Sequence, residues 1–439
     1  MLKKVGPLSA IIALRFLGLF IVLPVLSVYA LELPHATKTL VGVTIGGYAL
    51  TQMLFQVPFG ALSDRIGRKK TIAFGLMILF LGSIVAALAN DIYTLMAGRF
   101  LQGAGAIGAV ASALLSDLVS EEKRTSAMAL MGGSIALSFA ISMGLGPVLG
   151  GLYGIGVLFW ITAVCSIFAL IVLFTKVPNP PKIKYDYENR GFNLKTIFKN
   201  DQLFLMNITN FLQKGMMTLA FLIIPIVMIS EFGFEKSQLW KVYFPALVLG
   251  IFAMGLSAVF GEKYKKSKLM LILGVVLFGV SYSVMGFTNS YMFFIFGVAL
   301  FFIGFNIHEP LMQSLASRYA KVNERGVALG VFNSFGHLGT FLGGALGGLF
   351  YENFGLGKIS LGVLIVVLLW IFLLLKLKNP HLTKNLYLKF SEIDLSKIGL
   401  LSSQNGVIEY YQNESEELLV IKYNSIKTDE LKLKQLFEI

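Results

Sequence analysis

The chain has 439 residues, of which 56% are hydrophobic and 14% are charged. Soluble globular proteins carry about 25% charged residues, so this composition excludes an ordinary soluble domain and indicates a protein that lies mostly in lipid. The formal charge of +13 sits mainly in loops on one side, where it sets orientation and attracts anionic membrane lipid. We therefore expect a lipid partner and no nucleic acid.

Twelve apolar stretches reach the length of about 20 residues that is needed to cross a bilayer. We number them as spans one to twelve in chain order. They are predicted at 8–30, 40–62, 71–89, 92–118, 126–152, 157–176, 203–230, 238–260, 268–287, 291–316, 326–352 and 357–377.

The basic residues of the loops predict the orientation. The loops after odd-numbered spans carry only Lys38, Lys236, Lys241 and Lys358, whereas the N-terminus and the loops after even-numbered spans are rich in Lys and Arg. Because such residues in short loops stay on the cytoplasmic side, both termini are expected in the cytoplasm. No clean cleavage site follows the start of the chain, which favours a retained first span over a signal peptide.

A weak internal repeat predicts two halves. The run 63–68 recurs in degraded form at 261–266, and each half has a glycine-rich helix after a basic residue. This pattern predicts two six-span halves with the site between them. The boundaries are 1–176 for the first half, 177–200 for a solvated cytoplasmic linker and 201–380 for the second half.

The last segment, 384–439, is polar enough to leave the membrane. Alternating or β-rich stretches predict strands at 386–390, 407–411 and 418–423, with helices at 393–402 and 428–437. The order βαββα fits a small α+β unit of the ferredoxin-like type that lacks an obvious fourth strand. A disordered tail is the alternative, but the aromatic and β-branched content argues against it.

The loop after span two carries the most informative motif. It contains Gly60, Asp64, Arg65, Gly67 and Arg68, followed by two lysines. An ordinary basic loop is the alternative, although topology alone requires neither the glycines nor the aspartate. The spacing resembles the signature loop G-x-x-x-D-[RK]-x-G-[RK]-[RK] of the major facilitator superfamily.

That resemblance implies a charge network at the ends of the helices. Asp117, at the end of span four, would pair with Arg68, and Asp64 would face the N-terminus of span eleven, where a helix dipole favours an anion. These contacts would hold the two halves together in one state. An exposed aspartate at a helix end is the alternative reading of Asp117.

Spans four and five contain two further motifs. Arg99 and Gln102 form an R-x-x-Q-G run that resembles the second motif of the superfamily, and a charge inside a span usually faces a cavity or a partner. An arginine that snorkels to the outer interface is the alternative. Span five has the run G-x-G-P-x-x-G-G, typical of proton-linked antiporters, or alternatively of a kinked packing helix. Its residues are Gly144, Gly146, Pro147, Gly150 and Gly151.

Charged residues inside spans are candidates for proton coupling, because a carboxylate in a low dielectric changes charge with its access to water. Glu309 in span ten is the first candidate, with Lys214 in span seven as its partner or competitor. The other candidates are His308 and His337; any of the four could instead be a structural pair or a hydrogen-bonded histidine. The residues expected to line the cavity are Arg15, Arg99, Gln102, Gln52, Gln56 and Asn306.

The sequence has no G-x-x-x-x-G-K-[ST] loop, no clustered metal-ligand spacing and no nucleophile beside a base. We therefore expect neither an enzyme nor a cofactor or metal. Over its full length the chain resembles the YajR-type group of the superfamily, which implies a drug:proton antiporter of the bacterial inner membrane that moves a small molecule against protons. An uptake symporter is one alternative. A sensor whose C-terminal domain binds a cytoplasmic ligand or self-associates is another.

Overall fold

The structure is a computed structural model that describes residues 2–119, 121–178, 199–320, 325–378, 383–413, 417–424 and 427–437. Eleven helices in these ranges are long and apolar enough to cross a membrane. The last, Arg325–Leu375, has 51 residues and would measure about 75 Å, more than twice the thickness of a bilayer core. Gly355, at φ 71°, breaks it into spans eleven and twelve. The predicted twelve-span fold is confirmed.

Two other spans are broken at residues that interrupt helical hydrogen bonding. Span one stops before Pro24, which sits in the first turn of a new helix, and span four stops at Gly105. Span eight begins with the 3₁₀ turn Lys236–Leu239 and ends in the π-helical turn Val259–Lys263. The helices are Leu2–Phe20, Leu23–Leu31, Lys38–Ile66, Arg68–Ala87, Ile92–Ala104, Gly108–Leu118, Glu121–Tyr153, Ile155–Thr175, Asp201–Ser230, Trp240–Ala258, Ser267–Phe287, Tyr291–Tyr319 and Arg325–Leu375.

The two halves pack tightly at the end opposite the basic loops, which we call the closed end. Lys236 Nζ lies 2.6 Å from Glu32 Oε1, and Thr39 donates to Glu352 at 2.6 Å. Between them the helix backbones approach so closely that a Cβ on Gly42 would lie 2.0 Å from the carbonyl oxygen of Gly344. Only glycine fits such a crossing, so these positions fix how near spans two and eleven can come.

The opposite end, which carries the basic loops, is open. Cβ atoms built on Gly60, Gly132, Gly326 and Gly330 would meet nothing within 4 Å. No hydrogen bond or ion pair between two described residues joins the halves at this end. The molecule is therefore closed at one end and separated at the other.

The C-terminal domain contains a three-stranded antiparallel sheet. Its strands are β1 (Thr383–Lys389), β2 (Val407–Asn413) and β3 (Leu418–Asn424), with β3 in the centre. The predicted helices are a 3₁₀ helix at Leu395–Ser403 and a short α-helix at Glu430–Gln435. The order β1-β3-β2 is that of a split βαβ unit without a fourth strand. One face of β3 packs with both helices into a separate core. That core contains Leu386, Leu388, Ile398, Leu401, Leu419, Ile421, Tyr423, Leu433 and Phe437.

The predicted linker at 177–200 is described only at its two ends, since 179–198 lie outside the described residues. Residues 414–416, between β2 and β3, also lie outside the described residues.

Candidate substrate and proton site

The break in span four creates the first polar contact of the interior. In a continuous helix the carbonyl of Gly105 would accept from the amide four residues later, whereas at the break it accepts from Ile107 N at 2.9 Å and from Arg15 Nη2 at 3.0 Å. The same nitrogen donates to Gln52 Oε1 at 3.2 Å. Arg15 of span one is thereby fixed against spans two and four, and it holds the orientation of the Gln52 amide.

That orientation determines the contact between the halves. Because Gln52 Oε1 accepts from Arg15, its Nε2 is the donor toward His337 Nε2, 3.1 Å away on span eleven. His337 must then accept at Nε2 and carry its proton on Nδ1. A doubly protonated imidazole has no acceptor, so this hydrogen bond requires neutral His337.

An ion pair lies within the C-terminal half. Lys214 Nζ of span seven is 2.6 Å from Glu309 Oε1 of span ten, and Gln213 Nε2 donates to the same oxygen at 3.1 Å. The ammonium also lies 5.0 Å from the centre of the Phe305 ring. The side chains of Lys214 and Glu309 are 27% and 37% exposed, so solvent or a ligand can reach both. This is the one ion pair between described residues in the membrane interior.

Arg99 lies inside the protein and not at the outer interface of the membrane. Its side chain is fully buried, with Nη1 2.8 Å from Gln102 Oε1 and the guanidinium 4.6 Å from the centre of the Tyr48 ring. Gln102 in turn donates to Ser83 at 2.9 Å. The snorkelling alternative is therefore wrong. Nε and Nη2 of Arg99 have no hydrogen-bond partner among the described residues, and the same holds for Nε and Nη1 of Arg15.

Three residues predicted for the site lie apart from Arg15, Gln52, His337, Lys214 and Glu309. His308 faces span nine, where its Nε2 donates to Leu271 at 2.8 Å and its ring packs edge-on to Trp370. Successive residues of a helix point about 100° apart, so His308 points away from the Lys214–Glu309 pair. Asn306 bonds the carbonyl of Phe302 and packs against Gly250 of span eight, so it does not line a cavity. Gln56 is buried one turn beyond Gln52.

Residues 60–70, predicted as a loop, are helical except at Gly67, and they form a compact charge network within the N-terminal half. Arg68 Nη1 lies 2.5 Å from Asp64 Oδ1, and Arg68 Nε lies 3.3 Å from Asp117 Oδ2, so the pairing with Asp117 is present. Gly67 turns the chain at φ 97°, in the region that favours glycine. Asp64 is 65% exposed and Arg65 is also exposed. The predicted position of Asp64 against the start of span eleven is therefore not occupied in this conformation.

The glycines of span five serve helix packing and the closed end. A Cβ on Gly146 would lie 2.3 Å from the carbonyl of Ile21, and one on Gly151 would lie 2.5 Å from Cα of Ser237 in the other half. A Cβ on Gly144 would make an ordinary contact at 3.7 Å, one on Gly150 would lie a tight 3.2 Å from the side chains of Leu158 and Val25, and Pro147 lies inside the helix. The motif therefore contributes to the junction between the halves through Gly151.

Some residues of the site were missed by sequence reasoning. Gln213 of span seven and Tyr48 of span two were not among the predicted residues, although both contact charged side chains of the interior. The pairing of Glu32 with Lys236 joins loops 204 positions apart, which no local pattern reveals. The described residues contain no group of three or more His, Cys, Asp or Glu side chains that could hold a metal ion.

Comparison with known proteins gives consistent matches. The profile of the Major Facilitator Superfamily matches residues 8–342 and 247–408. The chain is 32% identical to the inner membrane transport protein YajR of Escherichia coli K12, over 98% of this chain and 95% of the relative. Multidrug resistance protein 2 of Bacillus subtilis is 24% identical over 78% of this chain and 87% of its own. The crystal structure of the human organic anion transporter MFSD10 superposes with a TM-score of 0.63 at 18% identity, covering 85% and 99% of the two chains.

Proposed function

Because this chain belongs to the major facilitator superfamily, we propose that it is a proton-coupled secondary transporter that exports lipophilic or amphipathic small molecules. It is a multi-pass membrane protein that acts on a small-molecule substrate and is not an enzyme. The bacterial inner membrane, cytoplasmic termini and the export direction belong to the proposal. With that orientation, the open end faces the cytoplasm and the closed end faces outward.

The observation that carries the proposal is the ion pair of Lys214 with Glu309 inside the membrane. Protonation of Glu309 removes its negative charge and with it the attraction that holds Lys214. The Lys214 ammonium then needs another partner. The polar side chains of His337 and Gln52 lie between the two halves. A proton at Glu309 thereby changes the charge balance of the space in which a substrate would bind.

Export is supported by two further observations. Span five keeps every residue of the G-x-G-P-x-x-G-G run, and Gly151 sits at the junction of the halves. A relative covering most of this chain is a multidrug resistance protein. Apolar and aromatic side chains surround the polar group, for example Phe305 beside Lys214, which suits an amphipathic substrate.

Flux measurements in vesicles test the proposal. Purified protein is placed in liposomes that contain a pH-sensitive dye, and a lipophilic fluorescent drug is added outside. Antiport predicts that drug entry drives protons outward, so the lumen becomes alkaline, and a protonophore abolishes this signal. Acidification of the lumen would instead identify a symporter. Absence of drug and proton flux in folded protein would support the sensor alternative and overturn the proposal.

A further inference from the structure

The outer face of the C-terminal sheet is buried although it lies outside the domain's own core. Side chains of β3 alternate between the two faces of the sheet. Leu419 and Ile421 point into the core of the domain, whereas Leu418, Val420 and Lys422 lie on the other face and are 5%, 1% and 6% exposed. The sheet is therefore covered on both sides.

Lys422 identifies what this second face contacts. Its Nζ donates to the carbonyl oxygens of Arg318 at 3.1 Å and Ala320 at 2.7 Å. These carbonyls lie at the C-terminal end of span ten, where the last C=O groups of a helix lack partners within the helix and the dipole favours a cation. A buried lysine is costly unless its charge and donors are satisfied. Lys422 therefore makes a specific contact with the C-terminal end of span ten.

The same corner of the chain collects two other segments. Asn200, just before span seven, donates to the carbonyl of Tyr319 at 3.1 Å, and the Tyr319 hydroxyl donates to the carbonyl of Lys378, just after span twelve. Span eleven begins at Arg325, shortly beyond this corner. Three spans of the C-terminal half thus meet at the place where the sheet docks.

We propose that Lys422 clamps the C-terminal domain onto the end of span ten, so that the domain and the C-terminal six-span half move as one body. The contact involves no described residue of the N-terminal half. A displacement of the domain is then transmitted to the corner that leads into span eleven, which carries His337. The clamp does not depend on which substrate is transported or in which direction.

Pulsed EPR distances in the full-length chain test the clamp. One spin label is placed at the exposed Gln412 of the domain and one at the exposed Lys266 before span nine, with the native Cys165 replaced by Ser. The proposal predicts one narrow distance distribution. It also predicts that Lys422→Met, which keeps a long unbranched side chain but removes its donors, broadens this distribution about twofold as local docking is lost. The matched control is Lys432→Met, an exposed lysine of the same domain, and it should change nothing.

Two outcomes overturn the proposal. A broad distribution with the native Lys422 shows that the domain is not docked. An unchanged narrow distribution in Lys422→Met shows that this lysine is not the clamp. Amide exchange of β3 reports whether the sheet stays folded in Lys422→Met. If it does not, Val420→Ala, which removes apolar contact from the same face without touching the charge, is expected to broaden the distribution, and a narrow one rejects the docked face.

Discussion

Gln52 Nε2 of the N-terminal half lies 3.1 Å from His337 Nε2 of the C-terminal half, and Arg15 fixes the direction of this hydrogen bond from behind. A double-mutant cycle of Gln52→Leu and His337→Leu should therefore give a coupling energy of about 0.5–1.5 kcal/mol in unfolding stability. The pair Gln52→Leu and His308→Leu is the control, since His308 faces span nine, and its effects should add. A coupling energy near zero for the first pair would mean that the halves do not depend on this contact.

The contact also responds to pH, because it needs an imidazole that accepts at Nε2. It is present while His337 is neutral and is lost when the ring takes a second proton as the pH falls. Arg15 of span one and Lys214 of span seven are the charged side chains that interact electrostatically with the ring, and Gln52 contacts it from span two. His337→Gln keeps an acceptor without titrating. We expect the coupling energy to Gln52 to fall at acidic pH in the native protein and to be pH-independent in His337→Gln, as measured by the same cycle with Gln52→Leu.

Substitutions at the junction of spans two and three separate gating from stability. Arg68→Ala removes the cation shared by Asp64 and Asp117, and Asp64→Asn removes the exposed carboxylate. Partly exposed ion pairs contribute roughly 0–1 kcal/mol to stability, so insertion and melting should be nearly native. Transport should nevertheless fall, because Asp64 is expected to reach the start of span eleven when the basic end closes. Lys70→Ala, which alters the charge of the same junction at an exposed position, is the control. Native transport by both variants at equal expression would remove the gating role.

The close crossing of spans two and eleven predicts that one added methyl group at this crossing destabilises the closed end. Gly42→Ala would place a Cβ 2.0 Å from the carbonyl oxygen of Gly344, and such overpacking costs about 1–3 kcal/mol. The closed end should open, which is measured as loss of disulfide crosslinking between Thr39→Cys and Glu352→Cys without native Cys165. Gly362→Ala, where a Cβ would meet nothing within 4 Å, should leave crosslinking unchanged. Equal crosslinking in Gly42→Ala would contradict the close approach of the two backbones.

Removal of the C-terminal domain tests whether it is modulatory. The sheet has its own apolar core, so a chain that ends after Pro380 should still insert twelve spans and stay monodisperse in detergent. The carbonyls of Arg318 and Ala320 then lose Lys422 but can bind water. Faster amide exchange is expected at the end of span ten and little change in the interior. Failure to insert, or loss of monodispersity, would make the domain part of the membrane fold.

The sequence predicts the spans well because the length of an apolar stretch is itself the physical requirement for crossing a bilayer. The resemblance of residues 60–70 to the signature loop of the superfamily also implies the Arg68–Asp117 pair, which is present. What the sequence does not show is how each helix is rotated about its own axis, and therefore which neighbour each side chain faces. His308 and Glu309 are adjacent in sequence and look equally suited to proton coupling, yet one faces span nine and the other faces Lys214.

Long-range contacts were beyond the sequence for a different reason. Lys422 looks like any lysine on the polar side of a strand, because nothing local shows that a helix end lies above it. The breaks in spans one and four have weak local signals, Pro24 and the glycines around Gly105. The break in span four leads to the contact of the Gly105 carbonyl with Arg15. That contact depends on a helix that is 90 positions away. Asn306 looked polar enough for a cavity, but its amide satisfies its own helix.

We propose that Glu309 carries the coupling proton and that Lys214 is its partner in the ion pair. This proposal is tested by efflux driven by a pH gradient in vesicles, with Glu309→Gln, Lys214→Gln and the double variant compared side by side. Glu392→Gln, on the exposed surface of the domain, is the control. Ligand binding at equilibrium is measured in the same preparations. A merely structural ion pair is restored in function when both charges are removed together, whereas a lost proton carrier is not.

We expect that Glu309→Gln binds the ligand but no longer responds to the gradient, and that the double variant recovers stability without recovering that response. An unchanged gradient response in Glu309→Gln, or its return in the double variant, would contradict the claim and move the role to Asp117 or His337.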